Sequence, residues 1–277
     1  MTMPQVPLAE WITAGIAWLQ HNGESVFGVI NAVLAWLDNL LRDGLSAVSP
    51  IVILVVVCIW LGIRGRYVAA LLAPFALGLI WDLRLWGQAM DTVSLVTIAC
   101  GISIILGFPL GILIAEFKSA KKIIVPVLDY MQTTPAFVYL IPAVLFFGIG
   151  STPGILATAV FSAPAMAKAV ALGLEQVDFQ FIEAGEAFGA SPLGILWKIK
   201  LPLSSAYIAT GISQCIMMAL SMVVICALIG ARGLGVEVVT ALSQMDLAQG
   251  IEAGFAVVLL AILLDQICRP KPGRTRR

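Results

Sequence analysis

Charge is scarce in this sequence. Only 12% of its 277 residues are Asp, Glu, Lys or Arg, against 60% hydrophobic, and the mean hydropathy is +1.02. A soluble domain needs more polar surface than this, so the chain is read as an all-α polytopic membrane protein. The sixteen acids cancel the sixteen bases, which removes the positive field that a nucleic-acid partner requires. Histidine is represented by His21 alone, and one imidazole supports neither a zinc centre nor a histidine-based triad. The five cysteines, Cys58, Cys100, Cys215, Cys226 and Cys268, show no CxxC spacing and fall within or at the ends of apolar runs; they read as small buried hydrophobes. No phosphate loop of the form GxxxxGK followed by Ser or Thr occurs, so the chain is expected to have no ATP site, no cofactor and no ATPase activity of its own. Its first residues lack a basic run and a small-residue cleavage site, and no signal peptide is expected.

What the chain does have is a series of apolar runs. Spans are expected at about 48–63, 67–81, 90–115, 123–148, 152–174, 203–229 and 249–267, seven in all, since a crossing helix needs ~20 apolar residues and the first two are short. Before them, residues 8–20 and 25–41 carry one-sided apolar faces, interrupted in the second by Asn31 and Asp38 and marked by Trp36. Both segments are expected to lie on the membrane interface, with a true span at 25–41 as the alternative. The domain reading is therefore an amphipathic region at 1–44, two accessory spans at 45–87, a core at 88–268 and a basic tail at 269–277.

One polar stretch is organised differently from the rest. In residues 178–202, Asp178 is a helix N-cap, Phe181, Ile182, Gly185 and Phe188 share one face, and Glu183 and Glu186 fall on the other. Gly189 is placed to end this helix in the left-handed conformation; Ser191 and Pro192 then cap and start a second short helix that Pro202 should stop. Two short helices meeting at a glycine elbow make a compact knob. If the knob is cytoplasmic, twelve bases (Arg64, Arg66, Lys118, Lys121, Lys122, Lys198, Lys200, Arg269, Lys271, Arg274, Arg276 and Arg277) share its side, and three (Arg42, Arg84 and Arg232) lie opposite. That bias predicts an N-terminus outside and a C-terminus inside.

Smaller features complete the reading. Gly107 and Gly111 form a GxxxG inside a span and predict close helix packing within the chain. Lys168 is an intramembrane base near a span end, expected to snorkel to the interface. Gly230 to Gly235 reads as a turn after a span, and Met217, Met218 and Met222 as a soft cluster that packs the core or walls a pathway. Gln132, Thr133 and Thr134 precede Pro135 inside an apolar run, where irregular polar backbone is tolerated only if it lines a cavity or packs on protein.

The knob's spacing, Glu-Ala-Gly, three residues, Gly189, nine residues, then Ile-Lys-Leu-Pro, resembles the EAA signature of the permease subunits of binding-protein-dependent ABC importers. Gly185 stands where that family usually has a second alanine. DYMQTTPAFVYLIP at 129–142, FFGIG at 146–150 and ALSMVVICALIGARGLG at 219–235 resemble the quaternary-amine branch, which takes up glycine betaine and proline betaine. The resemblance covers about residues 88–268 and implies a five-helix type I permease core, a homodimer, two ATPase subunits that bind ATP and Mg, an outer solute-binding protein, and the bacterial inner membrane. By the same resemblance Glu183, Ala184, Gly185, Glu186, Gly189, Ser191 and Pro192 would couple to the ATPase. Gln132, Thr133, Thr134, Pro135, Met218 and Met222 are the candidate pathway residues. Osmolytes such as betaine or choline are the expected solutes, with histidine, proline or trimethylamine N-oxide as alternatives. A secondary transporter or channel should instead place ionisable groups or filter-like backbone at mid-membrane, and little of either is present.

Overall fold

The computed structural model describes residues 8–269, with side chains from Gly15 onward. The basic residues Lys271, Arg274, Arg276 and Arg277, and the apolar face of Leu8, Trp11 and Ile12, lie outside those limits.

The first departure from expectation is α1 (Leu8–Ala47), one 40-residue helix in place of two. The polar stretch at His21–Gly23 does not break it. Asn22 Nδ2 donates back to Trp18 O at 2.8 Å, and Gly23 leaves room for the Phe27 ring, which a Cβ there would meet at 2.6 Å. From Gly15 on, α1 is long and apolar enough to cross a membrane. Its polar contacts run along about 33 Å of helix. Gln20 Nε2 donates to Leu145 O at 2.7 Å, Asp38 accepts from Ser94 Oγ at 2.8 Å, and Arg42 lies 3.7 Å from Asp91.

The helices α2 (Pro50–Ile63) and α3 (Tyr67–Asp82) form a hairpin about Gly65, whose φ of 75° suits a residue without a side chain. At about 21 and 24 Å, neither arm matches a ~30 Å hydrocarbon layer. The turn nevertheless reaches the far end of the bundle, because Arg64 Nη1 donates to Arg269 O at 3.3 Å.

The core begins with α4 (Trp86–Glu116), packed along α7 (Ser151–Glu175). Lipid tails give apolar helices no hydrophobic reason to associate, so close van der Waals approach decides. Gly107 and Gly111 supply it: a Cβ on either would sit 2.7 or 2.6 Å from the carbonyl oxygens of Ala163 and Ala167. The GxxxG is thus a seam within the chain, as its sequence predicts. Buried Ser103 and Ser162 hydroxyls meet across the same seam at 2.6 Å.

The single span expected at 123–148 is broken. α5 (Lys118–Thr133) and α6 (Ala136–Phe147) meet at 97°. Pro135 forces the residue before it out of the helical region, and Thr134 accordingly has ψ 128°. The carbonyl of Tyr130 is met by both threonine hydroxyls at 2.9 Å. Lys121 pairs with Glu175 at 2.8 Å at one end of the bundle, and Gly150 N donates to Ile229 O at 2.9 Å at the other. The bent pair therefore crosses from end to end.

After α7 come α8 (Phe179–Ala187), α9 (Pro192–Ile195), a π-helical turn at Leu196–Lys200 and α10 (Leu201–Leu203); these make the knob. α11 (Ser205–Ala227), α12 (Leu234–Gln244) and α13 (Leu247–Cys268) complete the chain. Gly230 and Gly233 turn the chain out of α11 with φ of 84° and 124°. The helix α12 is absent from the sequence reading. It is held by Glu237, which accepts from Gln88 at 3.0 Å and Gln249 at 2.9 Å, and by Thr92 Oγ1, which accepts from Leu234 N at 2.9 Å.

Five crossings, by α4, the bent pair, α7, α11 and α13, surround a core that includes fully buried Leu95, Ile155, Met166 and Met222. By length and composition the described residues hold five helices able to cross a membrane, α1 among them, or six with the bent pair. The five cysteines are free and none is fully exposed, in keeping with their reading as hydrophobes.

Candidate functional site

The knob forms because its caps are local and complete. Asp178 Oδ1 accepts from Gln180 N at 3.1 Å and starts α8. At the other end Gly189, with φ 76°, lets Gly189 N reach Glu186 O at 2.9 Å and Ala190 N reach Gly185 O at 3.0 Å. Those two bonds occupy carbonyls that a helix end leaves open. Ser191 Oγ accepts from Gly194 N at 3.2 Å and Pro192 stands in the first turn of α9, so both caps expected of the sequence are present.

One expectation for this segment fails. Pro202 does not stop the second helix. The π turn ahead of it shifts the ladder to i−5, with Leu201 N on Leu196 O. This relieves the carbonyl that a proline ring would otherwise crowd, and the chain stays helical to Leu203. On α8 the close contact with the second helix is made at Gly185; Ile182 is half-buried, while Phe188 is 92% exposed and Phe181 53%. The approach is too close for larger groups, since a Cβ on Gly185 would stand 2.6 Å from Ile199 Cδ1 and 3.4 Å from Ile195 Cγ1.

The knob's outer surface therefore carries Phe179, Phe181, Phe188, Leu193 and Trp197, all exposed, together with the exposed Glu183, Ala184 and Glu186. The knob thus exposes five large apolar side chains and two carboxylates. It is held firmly from behind. Lys200 Nζ pairs with Glu116 Oε1 at the end of α4 at 2.7 Å, both side chains being largely covered. Ser204 Oγ donates to Lys200 O at 2.6 Å where α11 begins.

Bases gather at this end. Lys121, Lys198, Lys200, Arg64, Arg66 and Arg269 lie here, whereas Arg42 lies by Asp91 at the start of α4, at the opposite end.

Some two to four turns along α11 from the knob lies a cavity of about 460 Å³, lined by Gln132, Ala165, Thr210, Ser213, Gln214, Met217, Met218 and Arg269. Of the candidate pathway residues, Gln132 and Met218 reach it. Thr133 and Thr134 instead bond Tyr130 O, Pro135 forms the break, and Met222 is fully buried in the core. Thr210, Ser213 and Gln214 are missed by the sequence reading, although their i, i+3, i+4 spacing, continued by Met217, marks a polar stripe on an apolar helix.

Two charge clusters flank the cavity. Lys168 does not snorkel freely: its Nζ pairs with Asp129 Oδ1 at 2.6 Å and also bonds the Gln132 side chain, tying α7 to the last turns of α5. Buried Asp265 accepts from Ser213 and pairs with Arg269 at 2.8 Å, tying α11 to α13. Carboxylates inside a membrane bundle persist only when paired, and both are. Among the described residues no group of His, Cys, Asp and Glu has the arrangement of a metal site.

Comparison with known proteins agrees with this architecture. Residues 107–267 match the family of the binding-protein-dependent transport system inner membrane component. Over 269 residues the chain is 39% identical to the glycine betaine/carnitine transport permease protein GbuB of Listeria monocytogenes, spanning 96% of this chain and 95% of that one. It is likewise 39% identical over 269 residues to the glycine betaine transport system permease protein OpuAB of Bacillus subtilis, spanning 96% and 94%. In fold it is similar to a chain of the MetNI methionine ABC transporter in inward-facing conformations, with TM-score 0.59 and 19% identity over 64% of this chain and 89% of that one. By family match, by near-full-length identity and by fold, the chain belongs to the binding-protein-dependent inner-membrane permeases of ABC importers.

Proposed function

We propose that this permease forms the path for a small quaternary-ammonium osmolyte such as glycine betaine, proline betaine or choline, and that residues 178–202 transmit to it the work of a separate ATPase. The observation that carries the reading is the knob: two capped helices with an exposed apolar surface, braced on α4 and α11. It belongs to a chain 39% identical to permeases of glycine betaine systems.

In this reading the knob end is cytoplasmic, as the clustering of bases there favours. The C-terminus then lies inside and the N-terminus outside, and α1 rests on the outer interface, a placement supported by polar contacts with the outer ends of α4 and α6. Glu183, Ala184, Gly185, Glu186, Gly189, Ser191 and Pro192 form or shape the ATPase contact. The cavity at Gln132, Ser213, Gln214 and Met218 is half of a path completed by a second copy of the chain. Two ATPase subunits bind ATP and Mg, and an outer binding protein delivers the solute. Closure of the ATPases moves both knobs, and the attached helices rock about the path. Transport is vectorial only if the solute binds the two states with different affinity.

The test is reconstitution of the permease with its ATPase and binding protein in proteoliposomes, followed by uptake of labelled betaine, choline, histidine, proline and trimethylamine N-oxide. ATP-dependent uptake of the quaternary amines is expected. Uptake of histidine or proline alone would move the substrate class, and gradient-driven uptake without the ATPase would refute the importer reading altogether.

A further inference from the structure

At the knob end of the bundle, away from the cavity, α3 and α13 line a groove of about 480 Å³. Val68, Leu72, Phe75, Leu259, Ile262 and Leu263 line it, with the Gln266 side chain at its mouth. Leu72 is 55% exposed, Phe75 63% and Ile262 52%. Nothing in the proposed transport cycle uses this face.

Three arginines lie about the Gln266 end of the groove, Arg64, Arg66 and Arg269. Arg66 donates from Nη1 to the Gln266 side chain, so its guanidinium is fixed at the rim. The guanidinium of Arg64 stacks 4.5 Å over the Trp60 ring and donates to Arg269 O. Trp60 Nε1 in turn donates to Ile267 O at 3.2 Å, which anchors the stack on α13. Three arginines and one carboxylate, Asp265, thus meet at this corner among the described residues, and Asp265 is already paired with Arg269. Among the described residues the corner therefore holds more arginines than carboxylates. Tyr67, 75% exposed at the start of α3, adds an interfacial aromatic to the same turn.

An apolar slot that opens under fixed guanidinium groups has the shape of one class of molecule. We propose that an anionic phospholipid binds here, one acyl chain lying between α3 and α13 and its phosphate facing Arg64 and Arg66. A zwitterionic lipid would fill the slot equally well, but its own cation would oppose the arginines. A free phosphate would satisfy the arginines and leave the slot empty. The requirement for both halves is what selects the lipid. The short arms of the hairpin give it a purpose: helices of about 21 and 24 Å need their basic ends held at the headgroup level. The lipid would also brace Arg269, whose carbonyl accepts from Arg64 and whose side chain lines the cavity on the far side of α13.

The experiment uses the full permease with its ATPase, exchanged into nanodiscs of equal phosphatidylglycerol and phosphatidylcholine and released for native mass spectrometry. The expected result is retained phosphatidylglycerol in excess of phosphatidylcholine. Arg64→Gln should lower that preference about fivefold, the effect of one basic residue near an anionic surface. Because Arg64 is also a packing residue, a second variant tests the other half. Leu72→Trp fills the slot from an exposed position without touching the arginines, and should release the bound lipid while the complex stays assembled. Equal retention of both lipids by wild type, or unchanged phosphatidylglycerol in both variants, would overturn the proposal. So would a Leu72→Cys variant that forms a disulfide between two copies of the chain, since the groove would then be a protein contact.

Discussion

Gly185 is the position where the knob's geometry can be tested most directly. Its missing side chain lets α8 close on the second helix, with Ile199 Cδ1 2.6 Å and Ile195 Cγ1 3.4 Å from where a Cβ would be. Alanine meets mainly a terminal methyl that can rotate away, so Gly185→Ala should leave uptake near wild type. Gly185→Leu is different, because the space beyond Ile199 is closed by Ile195, which is buried. Overpacking of this kind costs ~1–3 kcal/mol, and the strain is relieved by lifting α8 off its partner. Insertion of the spans does not depend on that contact, so membrane abundance should be unchanged. The displaced surface is the one bearing Phe181 and Phe188, where an error near an ångström would spoil the proposed docking of the ATPase.

The assay is solute taken up per ATP hydrolysed in proteoliposomes, at equal permease density. Gly185→Leu should hydrolyse ATP with little uptake. Adding Ile199→Ala empties the space that the leucine needs and should restore much of the ratio, a non-additive outcome expected only of neighbours in contact. Wild-type uptake by Gly185→Leu, or failure of the second substitution to rescue it, would show that the close approach is not what couples the knob.

Other substitutions separate further parts of the reading. Gly189→Leu meets no neighbour within 4 Å and so should cost only the ~1–2 kcal/mol of a left-handed side chain; Gly189→Asn should retain most of the uptake that Gly189→Leu loses, as uptake assays on both can show. Gly111→Val should fail differently, by loss of folded protein in a detergent melting curve, because its side chain would strike the Ala167 carbonyl and Val170 between two core helices. Lys168→Met should reduce uptake at normal abundance, and the exchange Lys168→Asp with Asp129→Lys should recover part of it; no recovery would mean that the lysine acts other than through this pair. Deleting residues 1–44 should leave a C-terminal tag on the cytoplasmic side in a protease-protection assay, while thermal stability falls because Leu34 is buried in the main core.

What could be read from the sequence was whatever is decided within one or two helical turns. The caps at Asp178, Gly189, Ser191 and Pro192 depend on neighbours no more than four residues away, and each is found in the structure. The glycine seam of Gly107 and Gly111 was legible for the same reason: small residues four apart allow close approach wherever the partner helix lies. The readings that failed needed a partner distant in sequence. Whether Lys168 snorkels depends on Asp129, thirty-nine residues earlier. Whether Pro202 ends a helix depends on a change of ladder that hydrophobic spacing does not reveal. α12 has eleven residues and is held at its flanks by Thr92, Gln88 and Gln249, so its own pattern gave little notice of it. At the cavity, polarity within a span was the informative signal. It marked Gln132, but it was not followed to the stripe at Thr210, Ser213 and Gln214.

The distance between knob and cavity bears on how the proposed motor could act. Thr210 and Met218 lie five and thirteen residues into α11, so the cavity begins about 8 Å and ends about 20 Å from that helix's first turn. That first turn is fixed to the knob through Ser204 and Lys200. Over so short a lever a helix does not bend appreciably; a tilt imposed at the knob reaches Ser213 and Gln214 as a displacement of the wall itself. Asp265 holds Ser213 from α13 and Lys168 holds Gln132 from α7, so each wall of the cavity is bonded to a helix other than its own. A tilt of α11 must then either carry α13 with it or break the Ser213 bond. Ser213→Ala distinguishes the two. If α11 and α13 move as one body, removing the hydroxyl loosens the wall, and ATP hydrolysis should continue while uptake per ATP falls. If the bond breaks in every cycle, its loss lowers a barrier and uptake should rise. The first outcome is expected, because a buried carboxylate left without its hydroxyl partner is costly in this environment, and a cycle that repeatedly exposed Asp265 would meet that cost at each turnover.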